Sequence, residues 1–151
     1  MQTRRQALTH SARVAALLAA TGLFPRYALA YNQDAFAAKT VADVVKALGA
    51  AAPVESPDVF IEGPDLAENG DAVALTARTT LPGVRQLLLL VEKNPTTLIA
   101  VFNVTDRVEA NLATRVKLAQ STKVYTVALM ADGQAWFASK KIQVIQGGCG
   151  A

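Results

Sequence analysis

From Asp58 onward, apolar and polar positions alternate in short runs separated by turn signals, a pattern that predicts strands. The expected strands are Val59–Glu62, Ala72–Thr79, Arg85–Glu92, Thr97–Val104, Ala113–Ala119, Val124–Met130 and Trp136–Ile145. Alternation is sharpest in Val73-Ala74-Leu75-Thr76 and in Lys140-Lys141-Ile142-Gln143-Val144-Ile145, each of which implies one wet face. Glu68-Asn69-Gly70-Asp71 and Asp132-Gly133 supply the backbone freedom of tight turns, and Lys93-Asn94-Pro95 breaks the chain before the next strand. About seven short strands at this spacing predict a mainly β fold, an immunoglobulin-like antiparallel β-sandwich. The immunoglobulin cysteine pair is absent.

Ahead of the strands the period changes. Asp34–Gly49 reads as a single amphipathic helix with Phe36, Val41, Val44, Val45 and Leu48 on one face and Gly49 as its stop. Residues 50–57 read as a linker, because Pro53 and Pro57 forbid continuation of the helix. Two strands are too apolar to be half wet: Leu87-Leu88-Leu89-Leu90-Val91 and Val124-Tyr125-Thr126-Val127-Ala128-Leu129-Met130. Either the helix covers a central strand, or one face meets another subunit.

The first 30 residues follow a different grammar. Arg4, Arg5 and His10 form a basic start, no acidic residue occurs before Tyr31, and an Ala/Leu-rich stretch runs from Val14 to Phe24. Ala28-Leu29-Ala30 then forms a small-x-small cleavage site, with cleavage expected between Ala30 and Tyr31. This is a secretory signal peptide, too short to span a membrane, so no membrane insertion is expected after cleavage. Thr3-Arg4-Arg5-Gln6-Ala7-Leu8 resembles a twin-arginine export signal, departing from it at Ala7 and Thr9. A general secretion signal stays open. The organisation expected is an export signal (1–30), a helix and linker (31–57), a β-sandwich (58–145) and a terminal arm (146–151).

Export changes the charge picture. The full chain carries 15 basic and 12 acidic residues, a formal +3. Losing the four arginines of the signal leaves 11 basic against 12 acidic residues, a formal −1 for the mature chain. No basic run remains to track phosphates, so nucleic acid is not expected as a partner. The single histidine, His10, also leaves with the signal. With it go the usual general base and the commonest metal ligand, and no loop has calcium-ligand spacing. No metal or cofactor site is expected, and a self-sufficient enzyme is a poor fit.

One residue remains unexplained by packing. Cys149, the only cysteine, is the third residue from the C-terminus and sits among Gly147, Gly148 and Gly150. The glycines make a thin, conformationally free segment. Residues 146–151 fully extended reach roughly 20 Å at about 3.3 Å each, enough to enter a cleft in a neighbouring protein. An exposed thiol with a pKa near about 8.5 is a few per cent thiolate at neutral pH and can act as a nucleophile. On chemistry alone, a thiol on a swinging arm and an interchain disulfide both fit.

The terminal Gly147-Gly148-Cys149-Gly150, together with the export signal, resembles the SoxY family of the thiosulfate-oxidising Sox system. Further stretches agree with it: Ala67-Glu68-Asn69-Gly70, Lys93-Asn94-Pro95, Ala100-Val101-Phe102, Thr114-Arg115-Val116-Lys117-Leu118-Ala119 and Val127-Ala128-Leu129-Met130-Ala131-Asp132-Gly133. Ala151 departs from the family, which usually ends in glycine there. The resemblance implies a periplasmic, non-catalytic carrier without a cofactor of its own, with Cys149 as the covalent attachment site for thiosulfate-derived sulfur. It implies a heterodimer with a SoxZ-type β-sandwich subunit, the apolar strands being candidates for that contact. It further implies a haem c sulfur-conjugating enzyme, a manganese-dependent sulfate-releasing hydrolase and, where present, a molybdenum sulfur dehydrogenase as partners.

Overall fold

The computed structural model describes residues 32–145. The residues read from the sequence as an export signal and its cleavage site, including Arg4, Arg5, Ala30 and Tyr31, and those read as an arm, Gly147, Gly148, Cys149 and Gly150, lie outside the described residues.

The helical segment is two short helices rather than one: α1 (Gln33–Ala37) and α2 (Val41–Ala47). The break has a local cause. Ala38 is extended, and Thr40 starts a new helix, its hydroxyl accepting from the Asp43 N–H at 3.1 Å and donating to the Asp43 carboxylate at 2.7 Å. Asn32 caps α1 by accepting from the Ala35 N–H at 3.0 Å, and its amide donates to the Ala47 carbonyl at 2.9 Å, clasping the two helices. Gly49, at φ +79°, ends α2. The expected apolar stripe survives the break. Val44 and Val45 are buried, and Phe36, Val41 and Leu48 pack against the same cluster.

Among the described residues nine strands follow, each named with its range as the sheets are built. The larger sheet has the order β1 (Val54–Glu55), β9 (Ala135–Val144), β8 (Thr122–Met130), β5 (Val84–Val91), β6 (Leu98–Asn103), and β3 (Leu66–Ala67) pairs further along β9. The smaller sheet is β2 (Val59–Glu62), β4 (Val73–Thr79) and β7 (Asn111–Val116). All seven expected strands form, within a residue or two at most ends. The two additional strands, β1 and β3, run parallel to β9, so the sandwich is not wholly antiparallel. β1 lies inside the stretch read as a linker. It follows Pro53, and its Val54 and Glu55 register against Trp136 and Phe137.

The core explains the two apolar runs. On β5, Leu88 and Leu90 face the helices together with Val127 and Leu129 of β8. The alternate side chains of β5, Leu87, Leu89 and Val91, face the smaller sheet. Each residue from Leu87 to Val91 is wholly buried, contributing about 1.5–3 kcal/mol per side chain. β5 is therefore a central strand covered on both faces by its own chain. The expectation of a subunit contact is corrected for Leu87–Val91, which have no surface to offer, while Tyr125 and Met130 of the second run are half-buried.

Candidate functional site

The sequence points to residues 146–151, and the structure describes the strand end that leads to them, called the arm root below. β9 ends at Val144, and Ile145 is the last described residue. Four hydrogen bonds, two to backbone carbonyls and two with a serine hydroxyl, hold this end. The N–H groups of Gln143 and Ile145 donate to the carbonyls of Asp65 and Ala67, each at 2.9 Å, on one edge. On the other edge the Val144 N–H donates to Ser121 Oγ at 2.9 Å, and the same hydroxyl reaches the Val144 carbonyl at 3.4 Å. Because β8 begins only at Thr122, the Ser121 side chain extends its ladder by one rung.

Beside the root lies an open recess of about 510 Å³ lined by Glu68, Gly70, Asp71, Lys117, Val144 and Ile145 among others. Its wall is a short 3-10 turn, Gly70–Ala72, capped by Asn69, whose Oδ1 accepts from the Asp71 N–H at 2.8 Å. The Leu118 N–H donates to the Gly70 carbonyl at 2.7 Å. A Cβ on residue 70 would overlap the Leu118 carbonyl oxygen and stand 2.9 Å from a Val144 methyl, so glycine is required here by close approach. Asn94 secures the opposite strand end: its amide donates to the Lys117 carbonyl at 2.7 Å and its oxygen accepts from the Ala119 N–H at 3.1 Å.

Ala67–Gly70, Lys93–Pro95 and Thr114–Ala119, dispersed along the sequence, thus converge on the arm root. Ala100–Phe102 lies in β6, and Val127–Gly133 is the far half of β8 with its turn to β9, where Gly133 adopts φ +86°. The sequence reading missed Ser121 and the structural task of Asn94. Their roles rest on bonds spanning 23 or more residues, and neither sits in a pattern that announces it.

Electrostatics around the root are uneven. Lys117 pairs with Asp71 at 2.8 Å, and that hydrogen bond and charge raise its pKa above the usual lysine value. Lys140 binds Asp65 at 2.7 Å and holds the Asp65 carboxyl below its usual range, first through the hydrogen bond and then through its charge. Tyr125 is pushed above the usual phenol value, chiefly by burial and then by the Glu92 carboxylate 3.3 Å away. Among the described residues, no group of three His, Cys, Asp or Glu side chains is placed to hold a metal ion.

A central β5 buried on both faces between helices and a second sheet, with β9 anchored along its last residues, defines a small β-sandwich. The chain belongs to the family of the sulfur oxidation protein SoxY, whose sequence model matches residues 44–149 and ends on Cys149. Among solved structures it is similar to the sulfur carrier protein SoxY from Chlorobium limicola f thiosulfatophilum, at 26% identity over 62% of this chain and 86% of that one, with a TM-score of 0.56. A superoxide reductase (neelaredoxin) variant from Ignicoccus hospitalis shares 18% identity over 57% of this chain and 78% of that one, at a TM-score of 0.51, and this likeness is one of fold alone. No curated protein matches the chain in sequence.

Proposed function

We propose that this protein is a covalent carrier of sulfur intermediates in thiosulfate oxidation, holding them on Cys149. The observation that carries this reading is that the family match runs through Gly147 and Gly148 and ends on Cys149. The strand that leads to this cysteine is anchored on one edge as far as Ile145 and on the other as far as Val144, which supports a firm base for a thin arm.

The chemistry is a sequence of balanced steps in which this chain supplies the thiolate. A haem c enzyme removes two electrons as the Cys149 thiolate and the sulfane sulfur of thiosulfate form an S–S bond, giving Cys–S–S–SO₃⁻. A manganese-dependent hydrolase directs water onto the sulfonate sulfur, the S–S bond to it breaks, and sulfate leaves while a persulfide stays on the cysteine. Where a molybdenum sulfur dehydrogenase is present, it would take the outer sulfur to a sulfonate with three oxygens from water and removal of six electrons, and a second hydrolysis would free sulfate and restore the thiol. Gly147, Gly148 and Gly150 let the arm pass narrow entrances where side chains would collide. The carrier itself is non-catalytic and pairs with a SoxZ-type subunit. Residues 1–30, with Arg4 and Arg5 and cleavage after Ala30, direct it to the periplasm, with the twin-arginine route favoured by the Arg4-Arg5 pair.

A reconstituted system tests the assignment. Cys149→Ser is expected to abolish thiosulfate-dependent electron transfer while leaving the melting temperature within about 1 °C, since exposed substitutions away from packing change stability little. An unaltered rate would overturn the carrier reading.

A further inference from the structure

The helices cover only part of the outer face of the larger sheet. α1 and α2 lie over Leu88, Leu90, Val127 and Leu129, Lys39 between them reaches the Pro95 carbonyl at 2.7 Å, and the sheet stays exposed at the end where β8 begins and β9 finishes. There β8 and β9 place Lys123 directly opposite Lys141. Both are exposed, and with Lys93 from the turn after β5 they line a shallow recess of about 250 Å³ backed by Ser121 and Thr122. Like charges facing each other across an antiparallel pair are destabilising. No ion pair among the described residues neutralises any of the three lysines. The one carboxylate in the recess, Glu92, accepts the Tyr125 hydroxyl instead.

The arm root divides this basic recess from the one formed by Glu68, Asp71 and Lys117, where the lysine is already held by Asp71. Ser121 belongs to the boundary: its hydroxyl fixes Val144, and it lines the basic side. Cys149 is four residues beyond Ile145, a reach of roughly 13 Å at about 3.3 Å per residue. Lys141 is four residues back along β9, the same distance in the opposite direction. A chain turned back over the sheet spends part of this length in the turn, and the thiosulfonate beyond the sulfur and the long lysine side chains close the rest of the gap.

We infer that the recess of Lys93, Lys123 and Lys141 is a rest site for the sulfonate end of the thiosulfonate carried on Cys149 of the same chain. This rests on the carrier reading above. The cargo is anionic with three terminal oxygens, each able to accept from an ammonium, and the Glu68–Asp71 side repels it. Loss of the sulfonate as sulfate removes those oxygens and shortens the cargo, so the hold is weaker after hydrolysis.

Loading can be done without any partner enzyme. Tetrathionate reacts with the Cys149 thiolate at an inner sulfur, forming Cys–S–S–SO₃⁻ as thiosulfate leaves with the bonding electron pair. NMR spectra of the reduced and loaded mature protein are then compared. The expected result is that amide signals of Ser121, Thr122, Lys123 and Lys141 shift on loading, and that the shifts vanish in Lys123→Gln/Lys141→Gln and shrink in high salt. Both lysines are exposed, and a spectrum of the double variant unchanged elsewhere establishes that it is folded. Shifts confined to the arm, shifts at Glu68–Asp71, or shifts that persist in the double variant would overturn the inference. So would the same shifts on adding free thiosulfate to Cys149→Ser at the protein's own concentration, which would mark a general anion site. Since loading is chemical, these outcomes are independent of turnover in the reconstituted system, which tests the carrier reading itself.

Discussion

Ser121 Oγ accepts a hydrogen bond from the Val144 N–H at 2.9 Å, so a side chain just ahead of β8 holds the last residue of β9. The relationship secures the end of β9 on the side away from β3. Ser121→Ala is expected to cost about 1 kcal/mol, the worth of one such bond. Hydrogen exchange is the sharper readout: the amides of Val144 and Ile145 should lose protection while those of Leu88 and Val127 keep theirs. Unchanged protection at Val144 would mean that pairing with β3 alone secures the root.

Gly70 is expected to tolerate no side chain. Gly70→Ala drives a methyl into the Leu118 carbonyl and toward Val144, and overpacking of this kind costs about 1–3 kcal/mol. Thermal denaturation should show a drop of roughly 4 °C per kcal/mol. Because the clash is at the arm root, the perturbation should be centred on Leu118 and Val144.

Thr126 offers the opposite sign. It is fully buried in β8, and its hydroxyl finds no partner. Thr126→Val keeps the shape and removes an unpaired polar atom, whose burial costs about 1–3 kcal/mol. A rise in melting temperature is expected, and a fall would mean that the hydroxyl is satisfied in solution.

Alkaline pH should expose Tyr125. Its folded pKa lies above the ordinary phenol value of 10.0, from burial first and the Glu92 carboxylate second. A group with a raised folded pKa stabilises the fold below its unfolded pKa, and that contribution is lost as pH rises through the folded value. The stability difference between the native protein and Tyr125→Phe should therefore be constant up to about pH 9 and move against the native protein above about pH 10. A difference that stays flat through this range would contradict the assignment.

The strands of the sandwich are legible because burial on one face leaves alternation in the sequence, as in Val73, Leu75 and Ala77 facing inward on β4. β1 and β3 are not, since two residues carry no period and their pairing with β9 is decided by tertiary contact. The helix break was readable in principle from Thr40 and Asp43, a cap followed by an acid three residues on, but a continuous apolar stripe masks it. At the site, Cys149 stands out because neither packing nor pairing explains a lone cysteine among glycines. Ser121 and Asn94 do not stand out, because each acts on backbone atoms 23 or more residues away.

The central claim is that Cys149 bears sulfur covalently, and it is tested most directly by the intact mass of the mature protein isolated from cells growing on thiosulfate, before and after reduction. The account predicts reducible adducts on Cys149 whose masses match a thiosulfonate or added sulfur atoms. A bare thiol, or a simple disulfide between two copies of the chain, would contradict it.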